Sequence, residues 1–287
     1  MIPDVDCDSI VYLNGDYVRL GDAKISVLDR GFIFGDGIYD VVPAYNGKPF
    51  RMDGHLARLE RSLAAIDIKV DLTRSDWEAL VANLIKKSGL GDCMVYIQVS
   101  RGVAKRDHAF PKDTKATVFC MVTPFVRPSA ATREKGYSAV SMVDIRWLRC
   151  EIKSVSLLGN VLAKQYAVDA GVDEVLQFRD GYLSEGASCN IWVVKDGVLL
   201  APPRSNLILE GIRYGLLEEL AVEAGIPFNA RPISQQEVDG ADELMLSSAT
   251  KELLPITTYN GKAVGTGKPG QVYASLRAGY DKAIAAL

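Results

Sequence analysis

Apolar residues recur every three or four positions in four stretches of the chain. The stretches read HLARLERSLAAI (residues 55–66), WEALVANLIKKSG (77–89), LLGNVLAKQYAVDAG (157–171) and GIRYGLLEELAVEAG (211–225). This spacing places the apolar side chains on one face of a helix, so four amphipathic helices are predicted. The last two stretches end at a glycine, which is typical of a helix C-terminus.

Five Asn-Gly or Asp-Gly pairs lie between apolar or alternating runs. Such a pair favours the tight turn that joins two antiparallel strands, so each one predicts a β-hairpin. The pairs are Asn14-Gly15, Asn46-Gly47, Asp180-Gly181, Asp196-Gly197 and Asn260-Gly261. Together with the helices, they predict an α+β protein in which much of the sheet is antiparallel.

The pattern changes near residue 123. The run TPFVRPSAATREKG (123–136) follows a strand-like stretch, ATVFCMV, and precedes another, YSAVSMVDI. Two prolines, small residues and charges are typical of a segment between domains. We therefore predict a small N-terminal α/β domain at residues 1–121, a linker at 122–134 and a larger C-terminal domain at 135–287.

Composition restricts the class of protein. The chain has 287 residues, of which 48% are hydrophobic, which is enough to build sizeable cores in two domains. The net charge of −3 comes from mixed charges without the basic stripe that nucleic-acid binding requires. No apolar run approaches the ~20 residues that span a bilayer. The opening, MIPDVDCDS, is acidic, whereas a signal peptide opens with basic and then apolar residues. We expect a cytoplasmic protein with neither nucleic acid nor membrane as a partner.

The cysteines carry no recognisable site. Cys7, Cys93, Cys120, Cys150 and Cys189 are odd in number and contain no C-x-x-C pair. Neither a disulfide framework nor a metal site is indicated, and buried free thiols are expected.

Two charged residues stand in unusual positions. Lys153, in EIKSVSLLGN, lies between an isoleucine and a helical run, although a lysine in such a place is ordinarily a solvated surface residue. Glu185 lies in EVLQFRDGYLSEGASCNIWVVKDGVLL, which predicts a three-stranded meander with Glu185 on its middle strand. A carboxylate in a half-buried strand needs a cation or hydrogen-bond donors, unless it lies at the edge of the sheet.

Two turns have the composition of anion-binding sites. Gly211 stands where the last predicted helix begins, and a glycine there lets an anion approach the free N–H groups at the positive end of the helix dipole. The segment ELMLSSATKELLP (243–255) predicts a strand followed by a turn of small hydroxyl residues. An ordinary turn glycine and a simple cap are the alternatives.

One cofactor would use all of these features. Pyridoxal phosphate requires an amine for its Schiff base, a carboxylate beside the pyridine nitrogen and a cup for the phosphate. Lys153, Glu185 and the two turns are candidates for these roles.

Several separated motifs then resemble one family. They are DRGFIFGDGIYD (29–40), HLARL (55–59), DIRWLRCEIKSVSLLGNVLAKQ (144–165), LSEGASCN (183–190), LEGIRYG (209–215) and LMLSSATKELLP (244–255). In this order and spacing they resemble the fold type IV pyridoxal phosphate enzymes, which include D-amino acid transaminases, branched-chain aminotransferases and aminodeoxychorismate lyases. The resemblance implies a two-domain α+β fold whose larger domain binds the cofactor.

A further segment resembles one subclass of this family. SRGVAKRDHAFP (100–111) matches the R-x-H-x-F-P signature of D-amino acid transaminases, in which the arginine and histidine trap the substrate carboxylate. The corresponding residues here are Arg106 and His108. A guanidinium can grip a carboxylate in bidentate fashion, and an imidazole can add a further donor.

The resemblance also implies roles for individual residues. Lys153 would hold the cofactor and shuttle the substrate's α-proton, and Glu185 would pair with the pyridine nitrogen. Tyr39 would line the substrate pocket beside the carboxylate trap, and Arg146 would hydrogen-bond the ring hydroxyl oxygen. The phosphate would be bound by Arg58, Ile212, Arg213, Ser248 and Ala249. In this family the trap comes from the neighbouring subunit, which implies a homodimer.

The chain departs from the family pattern at a few positions. Asp40 stands where the family usually has glutamate, which puts the contact of that side chain in doubt. Arg213 replaces an expected threonine and Ala249 an expected hydroxyl residue, so two hydrogen bonds to the phosphate could be missing. Cys189 replaces a small polar residue near Glu185, and we interpret it as a packing residue.

We therefore predict a transaminase that moves the amino group of a D-amino acid, such as D-alanine, to a 2-oxo acid such as 2-oxoglutarate. A branched-chain aminotransferase or an (R)-amine transaminase would share Lys153 and Glu185 without needing Arg106 and His108. Aminodeoxychorismate lyase, which eliminates pyruvate, and a non-catalytic binding module on the same fold are further alternatives.

Overall fold

The computed structural model describes residue 3 and residues 5–287. Residues 1, 2 and 4, which belong to the opening segment considered above, lie outside the described residues. Contacts within the chain group it into two compact units. The N-terminal unit comprises Met1–Val126 and Ile152–Leu157, and the C-terminal unit comprises Arg127–Glu151 and Leu158–Leu287. The limits of the predicted domains and linker stay predictions.

The N-terminal unit contains a six-stranded antiparallel sheet with the strand order β2-β1-β6-β5-β3-β4. Its helices α2 and α3 contribute Leu56, Leu59, Trp77 and Leu84 to one core with the strands. The elements of this unit are β1 (Ile10–Leu13), β2 (Asp16–Arg19), α1 (Arg30–Phe34), β3 (Gly37–Tyr45), β4 (Lys48–Pro49), α2 (Met52–Ala65), α3 (Arg74–Ser88), β5 (Cys93–Ser100) and β6 (Thr117–Pro124).

The two helices predicted in this part of the chain are confirmed, and both begin three residues before the apolar pattern does. The start of α3 has a clear local cause. Thr73 Oγ1 accepts from the backbone N–H of Asp76, and the Asp76 side chain accepts from the N–H of Thr73. This reciprocal cap satisfies N–H groups that the first turn of a helix leaves without partners.

A short segment of the N-terminal unit extends the sheet beside β3. Ser154 forms an isolated antiparallel bridge with Ile38. The N–H of Tyr39 donates to the carbonyl of Lys153 at 2.9 Å, and the N–H of Val155 donates to the carbonyl of Gly37 at 3.0 Å. These bonds fix the backbone of Lys153 against the strand that carries Tyr39.

The C-terminal unit contains a nine-stranded mixed sheet with the path β12-β11-β10-β13-β14-β7-β8-β9, and β15 pairs with β14. The pairs β11–β12, β14–β7 and β7–β8 are parallel, and the others are antiparallel. The elements are α4 (Ala130–Lys135), β7 (Tyr137–Val143), α5 (Leu158–Asp169), β8 (Glu174–Arg179), β9 (Tyr182–Leu183), β10 (Asn190–Lys195), β11 (Val198–Ala201), α6 (Ile212–Glu223), β12 (Phe228–Ala230), α7 (Gln235–Asp239), β13 (Glu243–Ser248), β14 (Glu252–Tyr259), β15 (Lys262–Ala263) and α8 (Gln271–Ala285).

All five predicted hairpins are confirmed. They join β1 to β2, β3 to β4, β8 to β9, β10 to β11 and β14 to β15. In each, both turn residues have positive φ, from 49° to 54° for the Asn or Asp and from 74° to 112° for the Gly. This is the conformation that suits the right-handed twist of the paired strands.

The predicted meander around Glu185 is wrong. Strand β9 ends at Leu183, so Glu185 lies after it and outside any strand. Strand β10 pairs with β11 and β13, and it is not a neighbour of β9 in the sheet. The local pattern could not show this, because β10 finds its partner β13 across a long stretch of chain. The backbone of Glu185 still joins β8, since its carbonyl accepts from the N–H of Gln177 at 3.0 Å.

The helices α5 and α6 confirm the remaining helical predictions, and the glycines after them, Gly171 and Gly225, both have φ of 67°. The C-terminal helix α8 was not predicted. Its buried Tyr273, Leu276, Tyr280 and Ile284 nevertheless follow helical spacing.

Four of the five cysteines are buried free thiols, and Cys7 is half-buried. Within the described part of the chain, every helix is too short or too polar to cross a bilayer. Across residue 3 and residues 5–287, His, Cys, Asp and Glu side chains form no cluster that could hold a metal ion.

Candidate active site

Lys153 lies against Tyr39 in the N-terminal unit. Its Nζ is 4.1 Å from the centroid of the Tyr39 ring, and both residues are half-buried. Tyr39 in turn stacks on Tyr96 of β5, with 5.8 Å between ring centroids. No ion pair to Lys153 is found among the described residues, so the described contact of this amine is the face of the Tyr39 ring.

Arg58 is buried beside a carboxylate of the same unit. It donates to Asp40 from Nε at 2.9 Å and from Nη2 at 2.8 Å, and His55 Nδ1 lies 2.7 Å from Asp40 Oδ1. Although burial opposes ionisation, Arg58 and His55 hold the pKa of Asp40 well below its usual range. The shorter side chain at position 40 therefore does make contacts, and it orients Arg58 from α2.

The predicted carboxylate trap lies on the exposed loop between β5 and β6. Arg106 and His108 are both exposed, and both contact Phe34 of α1. The guanidinium carbon of Arg106 lies 5.4 Å from the centroid of the Phe34 ring, and the centroids of the His108 and Phe34 rings are 5.4 Å apart. Their described contacts include neither Tyr39 nor Lys153. Within one N-terminal unit, the trap residues are therefore not brought together with the lysine.

Buried charges anchor this loop. Arg30 pairs with Asp36 at 2.7 Å and donates to the carbonyl of Asp107 at 2.5 Å. Arg101 pairs with Asp36 at 2.8 Å and stacks on Phe110 with 3.5 Å to the ring centroid. Burial raises the pKa of Asp36, but hydrogen bonds from the two arginines outweigh this and bring it below its ordinary value. The loop backbone is held while the Arg106 side chain remains accessible.

Glu185 is buried in the C-terminal unit and faces Arg146. Arg146 Nη1 donates to Glu185 Oε1, and the N–H of Leu209 donates to the same carboxylate at 3.2 Å. Burial raises the pKa of the Glu185 carboxyl, and Arg146 and the Leu209 N–H oppose that rise. The structure thus brings Glu185 and Arg146 together, and both described partners of the Arg146 side chain are carboxylates, Glu185 and Asp144.

Asn190 connects Glu185 to the start of α6. Its Nδ2 lies 3.4 Å from Glu185 Oε2 and donates to the Leu209 carbonyl at 2.9 Å, while its Oδ1 accepts from the Gly211 N–H at 3.2 Å. A Cβ at Gly211 would overlap Asn190 Oδ1, so a larger residue there would displace Asn190 or the start of α6. Gly211 has φ of −69°, which shows that the requirement is for space and not for a special backbone conformation.

The two residues after Gly211 begin α6. Ile212 is half-buried and Arg213 is buried. Arg213 Nε donates to the hydroxyl of Tyr280 on α8 at 3.0 Å. The side chain that replaces the expected threonine therefore joins α6 to α8.

The hydroxyl turn after β13 is tied to the loop that follows Glu185. Ser248 is half-buried, and its Oγ accepts from the N–H of Lys251 at 3.1 Å. Lys251 Nζ lies 2.5 Å from the buried Glu174, which also accepts from the N–H of Ala187 at 3.0 Å. The Cys189 thiol donates to Glu174 at 3.3 Å and is buried, and this contact accords with a packing role. Ala249, the other predicted phosphate ligand of this turn, is half-buried beside Ser248.

Sequence reasoning missed several residues that organise these groups. Asp144 entered only as part of a motif, and Asn190 and Glu174 had no predicted role. Asn190 stands 21 residues before Gly211, and Glu174 stands 77 residues before Lys251, so no local pattern joins them. Asp144 precedes Arg146 by two residues, and this short spacing is the sequence feature that could have indicated an ion pair between them.

Comparison with known proteins defines the class. The family model described as "Amino-transferase class IV" matches residues 37–259. The chain belongs to this family and is a pyridoxal phosphate-dependent aminotransferase that acts on amino acids and 2-oxo acids.

Nearly the whole chain is similar to curated D-alanine aminotransferases. The chain is 39% identical over 275 residues to a D-alanine aminotransferase of Staphylococcus epidermidis, covering 96% of this chain and 97% of that protein. It is 34% identical over 274 residues to a D-alanine aminotransferase of Bacillus licheniformis, covering 96% of each.

Solved branched-chain amino acid aminotransferases share the fold. One, from Thermobaculum terrenum in its PLP form, has a TM-score of 0.85 at 22% identity, covering 96% of this chain and 94% of that one. Another, from Escherichia coli, has a TM-score of 0.86 at 25% identity, covering 94% of this chain and 92% of that one.

The residues present fit the family's cofactor. Pyridoxal phosphate needs an amine, an anion near its ring nitrogen and close access to backbone N–H groups for its phosphate. Lys153 supplies an amine without a carboxylate partner among the described residues, and Glu185 supplies a buried carboxylate. The helix α6 begins directly after Gly211 without a side-chain cap, and the first N–H groups of a helix are suited to a phosphate.

Proposed function

We propose that this enzyme transfers the amino group of D-amino acids, including D-alanine, to a 2-oxo acid such as 2-oxoglutarate. The observation that carries the proposal is the similarity of nearly the whole chain to curated D-alanine aminotransferases, at 34% to 39% identity. The Arg106 and His108 loop, which matches the D-specific signature, supports it independently. A cytoplasmic location stays a prediction from composition.

Pyridoxal phosphate, when bound, supplies a ring that accepts electron density from the substrate's α-carbon. The protein must then move one proton and hold another. We propose that Lys153 would act as the amine base that takes the proton from the substrate's α-carbon and delivers it to the C4′ carbon of the cofactor, since both positions lie within reach of the group that holds the cofactor. Glu185 holds a proton at the ring nitrogen, which keeps the ring positively charged.

We further propose that five residues bind the phosphate and that Tyr39 lines the substrate pocket. Arg58 contributes a buried positive charge oriented by Asp40. Backbone N–H groups at the start of α6 and in the turn after β13 are suited to an anion, because helix N-termini and turns with successive N–H groups commonly bind phosphate. The five residues are Arg58, Ile212, Arg213, Ser248 and Ala249. The resemblance implies that Arg146 hydrogen-bonds the ring hydroxyl oxygen. Its pairing with Glu185 supports a second role, which is to orient that carboxylate.

We also propose a homodimer in which one subunit's Arg106 and His108 bind the substrate carboxylate in the other subunit's site. Two observations support it. Within one N-terminal unit the described contacts of the trap residues do not include Lys153 or Tyr39. The helix α5 carries an exposed apolar face consisting of Leu158, Val161, Leu162 and Tyr166, between 46% and 71% exposed. Such a face on a folded protein commonly marks a subunit interface.

Steady-state assays with single amino donors test the proposed specificity. With 2-oxoglutarate as acceptor, we expect turnover of D-alanine to exceed that of L-leucine and of (R)-amines by at least ~100-fold in kcat/KM, since only the D-amino acid meets the trap in the correct orientation. Turnover of L-leucine alone would contradict the proposal and favour a branched-chain aminotransferase. Release of pyruvate and p-aminobenzoate from aminodeoxychorismate would instead indicate a lyase.

The Arg106→Ala variant tests the trap itself. Loss of a bidentate partner should raise KM for D-alanine by roughly 10- to 100-fold, because charge-assisted hydrogen bonds to a carboxylate are strong. The absorbance of the bound cofactor should not change. Lys105→Ala, which removes a charge from the adjacent position, is the matched control. An unchanged KM in Arg106→Ala would show that the substrate carboxylate binds elsewhere.

A further inference from the structure

Asp144 lies at the centre of a buried charge cluster in the C-terminal unit. Its fully buried carboxylate accepts a fork from Arg146, at 2.9 Å from Nε and 2.8 Å from Nη2. Ser184 Oγ donates to it at 2.7 Å, and Arg179 Nη2 lies 3.2 Å away. A bidentate fork fixes both the position and the plane of a guanidinium.

The same guanidinium turns its remaining nitrogen, Nη1, toward Glu185. Arg146 is therefore shared between two carboxylates, only one of which has a proposed part in the reaction. The charged groups that act on Glu185 are Arg146 and Asp144, and Arg179 joins the cluster through its ion pair with Asp144. The neutral groups around Glu185 are Asn190, the Leu209 N–H and the thiols of Cys150 and Cys189. Burial raises the pKa of both thiols, so they add no charge at neutral pH.

The formal charges of this cluster balance. Asp144 and Glu185 contribute two negative charges, and Arg146 and Arg179 contribute two positive charges. Without Asp144, the cluster would carry a net positive charge in a buried place. A positive charge beside Glu185 weakens the attraction of that carboxylate for any proton or cation near it.

We propose that Asp144 is a positioning residue for transamination: it holds Arg146 in place and offsets its charge, and so sets the negative charge that Glu185 presents to the ring nitrogen of the cofactor. The inference rests on the role proposed above for Glu185. Asp144 acts through Arg146, and Ser184 and Arg179 in turn hold Asp144.

The test follows the proton on the ring nitrogen directly. Holoenzyme is reconstituted with pyridoxal phosphate labelled with ¹⁵N in the ring, and the ¹⁵N chemical shift is recorded from about pH 6 to about pH 10, a range around the neutral working pH. In Asp144→Asn, which keeps the shape and removes the charge, we expect the protonation midpoint to fall by about 1 pH unit or more. The kcat for D-alanine should fall roughly 10-fold while KM changes less.

A second substitution separates charge from packing. Arg179→Gln in the Asp144→Asn background removes one positive charge and restores the balance, so the midpoint should return toward that of the wild type. Damage to packing would instead make the double variant worse than the single one. Asp281→Asn is the control. The Asp281 carboxylate pairs with Arg277 of α8 and Arg133 of α4, so its loss should lower stability and leave the protonation midpoint of the ring nitrogen unchanged.

An unchanged midpoint in Asp144→Asn, or a double variant that shows no recovery, overturns the proposal. If Asp144→Asn fails to fold, the double variant is compared with Arg179→Gln alone, and equal midpoints overturn it. A wild-type enzyme whose ring nitrogen carries no proton at neutral pH would overturn the role of Glu185 first and this inference with it. If the ring nitrogen of the wild type is protonated at neutral pH and the variants have the same protonation midpoint, this inference alone is overturned.

Discussion

The amine of Lys153 lies over the ring of Tyr39, where a cation–π contact replaces the ion pair that surface lysines commonly form. Lys153→Ala should lower kcat for transamination by several orders of magnitude, because this one residue is proposed both to hold the cofactor and to take the substrate's proton. Far-UV circular dichroism should match the wild type. Lys195→Ala, which removes an exposed lysine paired with Asp242, should keep full activity. Retained activity in Lys153→Ala would remove this residue from its proposed role.

Asp40 makes a second prediction at the scale of one residue. The low pKa of its buried carboxyl means that ionised Asp40 stabilises the folded state, since the group is a weaker acid in the unfolded chain, with a pKa of about 3.9. Its stabilising contribution is present above about pH 4 and is lost as the pH falls further toward the folded-state pKa. Asp40→Asn should therefore lower the free energy of unfolding at pH 7 by ~3–5 kcal/mol, because Arg58 would lose its buried counter-charge.

Urea titrations of wild type and variant at pH 7 and at about pH 3 check this, since the difference between them should shrink on acidification. Asp53→Asn serves as the control, because Asp53 pairs with Arg74 on the surface and is 90% exposed. Its effect should stay within about 1 kcal/mol. A difference for Asp40→Asn that is equal at both pH values would contradict the assignment of the stabilisation to this charge.

At this scale the sequence identified residue types better than their partners. The chemistry of an amine or a carboxylate follows from its identity, so Lys153 and Glu185 could be selected from the sequence alone. Which groups surround them depends on contacts between distant segments, such as Asp40 with Arg58. Arg213 illustrates the difference, because only the fold shows that its side chain reaches Tyr280.

At the scale of elements, the hairpins could be predicted because two residues with positive φ suffice to define each turn. The order of strands in the sheet could not, and the predicted meander failed for that reason. Strand β10 reads locally as the continuation of β8 and β9, yet its ladder runs from Asn190 opposite Ser247 to Val194 opposite Glu243. Long-range pairing of this kind leaves no signal in a local window.

The start of α6 gives a prediction for an element. Gly211→Ala would place a methyl group in overlap with Asn190 Oδ1, so the first turn of α6 or Asn190 must move. Because the helix start is proposed to bind the phosphate, the Kd for pyridoxal phosphate should rise by roughly 10- to 100-fold. Titration of the apoenzyme with cofactor, followed by absorbance, measures this.

Gly215→Ala is a matched control in the same helix. A Cβ at Gly215 meets nothing within 4 Å, so alanine there should stabilise the helix by up to ~1 kcal/mol and leave cofactor affinity unchanged. If both variants bind the cofactor as the wild type does, the start of α6 takes no part in holding the phosphate.

At the scale of the whole molecule, two features support a homodimer. They are the anchored loop that carries Arg106 and the exposed apolar face of α5, and the proposed active site needs the loop of a second subunit. Arg106 lies on a loop whose backbone is bound by Arg30 and whose Phe110 ring stacks on Arg101, yet the Arg106 side chain is exposed. Ordering a loop costs conformational entropy. A loop that presents Arg106 to another subunit in one geometry gains enough in substrate positioning to offset this cost.

Mixing two defective variants tests this assembly. Lys153→Ala lacks the catalytic amine and Arg106→Ala lacks the trap, so each alone should be poorly active at low D-alanine concentration. If the trap comes from the partner subunit, a mixed dimer contains one site with both an intact Lys153 and an intact Arg106. Random exchange between equal amounts should then restore about a quarter of the wild-type sites.

The measurement is kcat/KM for D-alanine before and after the two proteins are unfolded together and refolded, with each variant refolded alone as the control. Analytical ultracentrifugation confirms that the species formed are dimers. A trap supplied within the same chain would leave every mixed dimer with one site lacking the amine and one lacking the arginine, so activity would not rise above the average of the two variants. Only delivery of Arg106 across a subunit boundary can raise it, which makes recovered activity a direct test of how the site is completed.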